Sequence, residues 1–339
     1  MTAIEDKLLF LIGPPRSGST LLTRMLGSHS AIHAPDEPHL LTPLAHLGYY
    51  AKVDTAPYDP IITRLAMQEL VNALPAGEDD YLAAMRSLTD SLYERLLTPS
   101  GRSMLLDKTP AYALILDFAA KLYPNARYIV LTRHPMAVWS SFVESFFDGD
   151  HESAHRHQPL LERYVPAIAR FLRERPAPVH HVHYEELVQS PEAEVEKICS
   201  FAGLPFEPDM IDYGKQGSAQ ESARGLGDPM AVSRHSRPTT GSLSKWGQQL
   251  TGKAEMVSQC QHILANLLDE DLESWGYERR AIAAELDAID LGEARQKKPS
   301  LTRYSLERKV ATRLRKNIHH NALGRLVRKL RSACDVLLR

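Results

Sequence analysis

Cysteine is scarce in this chain of 339 residues: Cys199, Cys260 and Cys334 are scattered and odd in number. That excludes a disulfide framework and fits a reducing compartment. Long apolar runs are missing too, and nothing approaches the roughly 20 residues of a membrane span. The first six residues have no basic leader, and an apolar run opens just after Lys7, so a signal peptide finds no room there. The fifteen histidines tempt a metal assignment. Yet His151, His155 and His157, and likewise His180, His181 and His183, lack the cysteine or carboxylate company of a recognisable site. No metal is expected.

Net charge is also nearly absent, at −2, but it is unevenly placed. Residues 297–339 hold 13 Lys/Arg against Glu307 and Asp335, a balance of +11, which leaves −13 for residues 1–296. The chain therefore divides into a body, 1–296, and a basic tail, 297–339. In the tail Val310, Leu314 and Ile318 recur every fourth residue, and Leu323, Val327 and Leu330 continue a similar stripe. An amphipathic basic helix pair of this kind suits three roles: packing on its own acidic body or a second protomer, lying on an anionic membrane, or holding an acidic partner. Tyr304 is the only aromatic there, which argues against nucleic acid.

What the sequence does contain is an alternation. Short apolar runs at Leu8–Ile12, Met104–Leu106, Tyr128–Leu131 and Val179–Tyr184 read as buried strands. Helical spacing separates them at about Leu21–Leu26, Tyr81–Leu97, Tyr112–Leu122, Met136–Phe147 and Leu160–Leu172, with later helices at Glu255–Leu272 and Arg280–Leu291. This predicts an α/β fold, a parallel β-sheet flanked by helices, with a helical C-terminal extension. Ligands then sit at the carboxyl ends of the strands. The stretch from His39 to Ala76 reads as an insertion walling a substrate site, and Gly214–Thr240 as a long loop.

The first strand runs into Gly13-Pro14-Pro15-Arg16-Ser17-Gly18-Ser19-Thr20 and then a helix. Gly13, Gly18 and Thr20 fit the Walker phosphate-loop pattern, but Ser19 stands where that pattern has lysine. Backbone N–H groups of such a loop still wrap a phosphate at a helix N-terminus. The side chain that reaches the β/γ-phosphates of a nucleoside triphosphate is lacking. A second candidate phosphate site is Arg133, at the end of the strand Tyr128–Leu131, with Ser141 eight residues on, about two turns into the next helix. A guanidinium fork and a hydroxyl suit a phosphate, though a strand-end Arg in a surface ion pair is an equal alternative by itself.

Taken together these motifs resemble the sulfotransferases that use 3′-phosphoadenosine 5′-phosphosulfate (PAPS) and release the bisphosphate PAP. The resemblance is nearest to the tyrosylprotein branch, and covers roughly Lys7 to Tyr277. It rests on Arg16-Ser17-Gly18-Ser19-Thr20-Leu21, the Arg133…Ser141 block, Glu37 in Pro35-Asp36-Glu37-Pro38, Asp107-Lys108-Thr109-Pro110, Tyr184 with the block after it, and Leu243-Ser244-Lys245-Trp246. The resemblance implies that Pro15, Arg16, Ser17, Gly18, Ser19 and Thr20 hold the 5′-phosphosulfate end. Arg133 and Ser141 hold the 3′-phosphate, and Tyr184, Ser244, Lys245 and Trp246 line the donor. Glu37, 21 residues after Arg16, is then the base, with Asp36, His29 and His39 as competitors. Lys108, Arg16 and Ser244 neutralise the leaving oxygen.

The expected activity is sulfuryl transfer to an acceptor hydroxyl. The acceptor is left open among tyrosine, carbohydrate, lipid and small molecules. The expected place is the cytoplasm, with the tail reaching the inner membrane face, and a homodimer is a further expectation. Two rivals stay in view: a P-loop kinase using ATP, and a non-catalytic membrane-docking protein on the same fold.

Overall fold

The computed structural model describes residues 4–35, 37–47, 49, 60–147, 149–214 and 236–291. Five strands, β1 (Leu8–Ile12), β2 (Ile32–His33), β3 (Met104–Asp107), β4 (Arg127–Thr132) and β5 (Val179–His183), form one parallel sheet in the order β2-β3-β1-β4-β5. The central strand is buried at every position, as a strand covered on both faces must be. β2 has no counterpart among the predicted strands, because two residues leave no alternation to read. The last strand ends one residue earlier than predicted: Tyr184 opens a helix instead.

The helices are α1 (Ser19–Gly27), α2 (Leu41–Ala45), α3 (Pro60–Ala73), α4 (Glu78–Leu97), α5 (Leu116–Leu122), α6 (Pro135–Phe147) and α7 (His151–His157), then α8 (Leu160–Glu174), α9 (Tyr184–Gln189), α10 (Pro191–Ala202), α11 (Lys245–Leu250), α12 (Ala254–Asn266), α13 (Asp269–Trp275) and α14 (Arg279–Asp287). The helix predicted at Tyr112–Leu122 begins as a 3-10 turn, Pro110–Leu114, and only then becomes α5. The one predicted at Glu255–Leu272 is two helices, broken at Leu267 and Leu268, whose backbones are extended. Parts of the expected insertion fold as α2 and α3. The expected loop's residues 215–235, and the basic tail, lie outside the described residues.

Each face of the sheet has its own core. On one, Leu9 and Leu11 of β1 meet Leu22 and Met25 of α1 with Leu187 and Ile198 of α9 and α10. On the other, Leu8, Phe10 and Ile12 meet Tyr93 of α4, Tyr112, Tyr123 and helices α5, α6, α8 and α12. Phe10 stacks on Tyr128 with ring centroids 5.1 Å apart and meets Tyr93 and Tyr112 edge-on. Burying β1 from both sides fixes where its carboxyl end lies. At that end α1 leaves β1 for one face, while α5 and α6, which follow β3 and β4, pack on the other, and such a parting of helices is the usual ligand position in open α/β sheets. No helix among the described residues is long and apolar enough to cross a membrane.

Candidate active site

The loop after β1 turns at once: Ser17 N–H donates to Pro14 O at 3.2 Å. Arg16 has φ 73° and Gly18 φ 102°, so the loop alternates through left-handed positions, the geometry that points successive N–H groups into one concavity. Gly18 also caps α1, with no side chain bonded to the first turn. A Cβ at Gly18 would stand 2.3 Å from the Tyr184 ring, and one at Gly13 would meet Ser17 Oγ at 2.7 Å and Leu131 O at 2.9 Å. Both positions therefore require glycine, and Tyr184 roofs the loop. Ser17 Oγ is buried with no hydrogen-bond partner, a group that calls for a ligand in a site built this way.

Arg133 leaves β4 into the same place. Its guanidinium lies 4.3 Å over the Tyr184 ring and donates to Arg16 O at 3.2 Å and Ser242 O at 3.0 Å. Its Nε is buried without a partner. Burial first, and the neighbouring Arg16 charge with it, hold its pKa below the usual arginine value. Tyr184 hydroxyl pairs with Ser242 Oγ at 2.7 Å. Trp275 Nε1 donates to Arg133 O at 2.9 Å, so a helix behind the site fixes the arginine backbone. Arg16 Nε donates to Ser141 Oγ at 3.1 Å. The two phosphate motifs, 125 residues apart in sequence, are thus in direct contact.

A second cluster stands on the same edge of the sheet, after β2 and β3. Lys108 Nζ donates to Glu37 Oε1, and His39 Nε2 is 3.4 Å from Glu37 Oε2. Lys108 is buried because the preceding residue is anchored. Asp107, fully buried, accepts from Tyr93 OH at 2.7 Å, Thr109 Oγ1 at 3.0 Å and Tyr112 OH at 3.1 Å. Burial raises the Asp107 carboxyl to about 6, against the pull of its three hydroxyl donors. Tyr112 OH in turn accepts from Leu41 N, tying α2 to the cluster.

The other predicted residues spread around these clusters. Ser244 and Lys245 are exposed at the start of α11, while Trp246 is buried and stacks on His134, centroids 4.7 Å apart. Burial and the Arg133 charge push His134 down to about 4. Pro15 and Thr20 are half-buried along the loop, and Ser19 is buried. Of the competing bases, His29 is buried with Nδ1 accepting from Ala31 N and Nε2 bonded to Pro205 O, while Asp36 lies outside the described residues. Ser242 escaped the sequence analysis, although it stands two residues before Ser244 in the same small-residue run. No group of three or more His, Cys, Asp or Glu among the described residues could hold a metal ion.

Residues 9–208 match the model of the Sulfotransferase family. Nodulation protein NoeE of Sinorhizobium fredii (strain NBRC 101917 / NGR234) is 29% identical over 313 residues, 85% of this chain and 70% of that protein. A putative protein-tyrosine sulfotransferase of Caenorhabditis briggsae is 27% identical over 212 residues, 61% of this chain and 69% of that one. Among solved structures, the sulfotransferase domain from the curacin biosynthetic pathway is 25% identical over 75% of this chain and 96% of its own, with a TM-score of 0.47. The family match spans well over half of the chain, from β1 through the loop, Glu37, Lys108, Arg133 and Tyr184, so the chain belongs to the sulfotransferase family and is an enzyme of sulfuryl transfer.

Proposed function

We propose that this sulfotransferase takes its sulfuryl group from PAPS and passes it in line to an acceptor hydroxyl, with Glu37 as general base. The observation that carries this is the contact between Lys108 and Glu37, a cation just after β3 and a carboxylate beyond β2, on the same edge of the sheet as the β1 end that carries the phosphate loop. The loop amides, Ser17 and Arg16 would hold the 5′-phosphosulfate end, and Arg133 with Ser141 the 3′-phosphate. Tyr184 would flank the nucleotide. The acceptor oxygen attacks sulfur, its proton passes to Glu37, and the sulfur–oxygen bond to the donor phosphate breaks. Lys108, with Arg16, meets the charge that develops on the leaving oxygen. Positioning and fixed charge supply most of such catalysis, each donor contributing on the order of 10²–10³ in rate.

Thermal stabilisation separates this from ATP chemistry. Adenosine 3′,5′-bisphosphate should raise the melting temperature and ATP with magnesium should not; the reverse would remove the donor assignment. Several relatives are named protein-tyrosine sulfotransferases, which supports a tyrosyl hydroxyl as acceptor. Carbohydrate, lipid and small-molecule hydroxyls belong in the same screen with labelled donor. The basic tail supports a place at an anionic membrane surface for this enzyme. Deleting residues 297–339 should abolish binding to anionic liposomes, and unchanged binding would rule that out.

A further inference from the structure

Among the described residues His39 is one of three non-glycine residues with positive φ, at 51°, immediately after Pro38. Left-handed backbone is uncommon outside glycine, and it persists where the surroundings hold it. Here the His39 amide faces Thr109 Oγ1 at 3.4 Å, and Thr109 is itself bonded to buried Asp107. The turn brings the imidazole back onto the carboxylate two residues earlier, with Nε2 3.4 Å from Glu37 Oε2. Exposure rises along the row: the side chain of Lys108 is 7% exposed, that of Glu37 16% and that of His39 41%.

We infer that His39 is a proton-relay residue for Glu37. This rests on Glu37 being the base of the transfer. A general base must lose its proton before the next turnover, and Glu37 is mostly shut off from solvent. Lys108 occupies Oε1, which leaves Oε2 for the proton, and each carboxylate oxygen has two lone pairs, so Oε2 can face acceptor and imidazole together. In the transfer the acceptor O–H bond breaks as its oxygen bonds to sulfur. The proton goes to Glu37, and the electron pair of the breaking sulfur–oxygen bond leaves with the bisphosphate. The proton then passes from Oε2 to Nε2 of neutral His39, and the imidazolium gives up a proton to water or buffer, restoring both groups. A separation of 3.4 Å is slightly long for direct transfer; catalytic hydrogen bonds commonly tighten when substrates fill the site. The titratable and charged groups facing this pair are Asp107 at the end of β3, Lys108 just after it and Tyr164 from α8. His39 acts through Glu37, so it is a positioning and relay group rather than a catalytic one.

The test uses His39→Asn and His39→Gly in the full chain, because both residues accept left-handed backbone and preserve the turn. In dilute non-nucleophilic buffer, kcat should fall about tenfold or more, with the bisphosphate affinity and melting temperature unchanged. Added imidazole should restore kcat in a saturable way, more strongly in His39→Gly. Unchanged kcat in both variants, or a loss that imidazole leaves untouched, overturns the relay. Glu37→Gln measured beside them isolates the underlying assignment: turnover retained there removes Glu37 as base, whatever imidazole does to the His39 variants.

Discussion

Lys108 Nζ is bonded to Glu37 Oε1, across 71 residues of sequence, in a site where the lysine is 5% exposed. An isolated ammonium in such a place would be costly, since burying one charge without a partner costs several kcal/mol. The carboxylate therefore orients Lys108, and Lys108 aims the carboxylate. One contact thus holds both groups that sulfuryl transfer needs, the proton acceptor and the cation for the leaving oxygen.

Lys108→Met should lower kcat by about 100-fold or more, the usual scale for removing one fixed charge from a transition state, and should also lower the melting temperature because Glu37 loses its cation. Lys108→Arg should recover only part of this, because a planar fork does not replace a compact ammonium. Steady-state kinetics beside a binding titration checks both. A change confined to KM would place Lys108 in ground-state binding instead.

Asp107 gives a stability signature with a definite sign. Its carboxyl titrates at about 6 in the folded chain and near the ordinary carboxylate value when unfolded. Between those values the folded state holds a proton that the unfolded state has lost. Stability contributed by the protonated form is thus present at low pH and is lost as pH rises toward 6, up to roughly 3 kcal/mol. Asp107→Asn should remove that slope: wild type minus variant, measured by denaturant melts, should decline between about pH 4 and pH 6 and level off above.

Gly18→Ala probes the roof of the loop. The new methyl would overlap the Tyr184 ring and sit at φ 102°, so about 1–3 kcal/mol of strain is expected. Tyr184 would be displaced from over Arg133. The measurable outcome is a folded protein with a lower melting temperature that bisphosphate no longer raises. Normal bisphosphate binding by this variant would show that Tyr184 and the loop do not form one site.

Arg133→Lys preserves charge but removes the fork that reaches Arg16 O and Ser242 O and the flat face over Tyr184. Affinity for adenosine 3′,5′-bisphosphate should fall about 10–100-fold, while affinity for adenosine 5′-monophosphate, which lacks the 3′-phosphate, should change far less. Equal losses for both ligands would assign Arg133 to the base or the 5′ end.

Much of this is legible in the sequence. β1, its loop and α1 announce themselves because an apolar run, a Gly-Pro-Pro stop and a small-residue loop are all local signals. The same holds for the strand ending in Arg133. What escaped was set by contacts distant in sequence. β2 is two residues long and exists only because β3 is there to pair with it. Tyr184 reads as strand because it continues an apolar run, yet it opens α9 and turns its ring to Gly18. Spacing alone groups Ser141 with Arg133, and the fold gives it a bond to Arg16. Ser242 and the Asp107 network of three hydroxyls could not be seen at all, since their partners come from separate elements. Trp246, singled out for the donor site, is buried against His134, a pairing that no local pattern records.

The measurement that bears most directly on the central claim is single-turnover transfer of labelled sulfur from PAPS by the wild type and Glu37→Gln, with bisphosphate affinity measured on the same samples. The expected result is rapid transfer by the wild type, a loss of about 1,000-fold or more in the variant, and equal bisphosphate affinity in both. Transfer at the wild-type rate by Glu37→Gln would contradict Glu37 as the base.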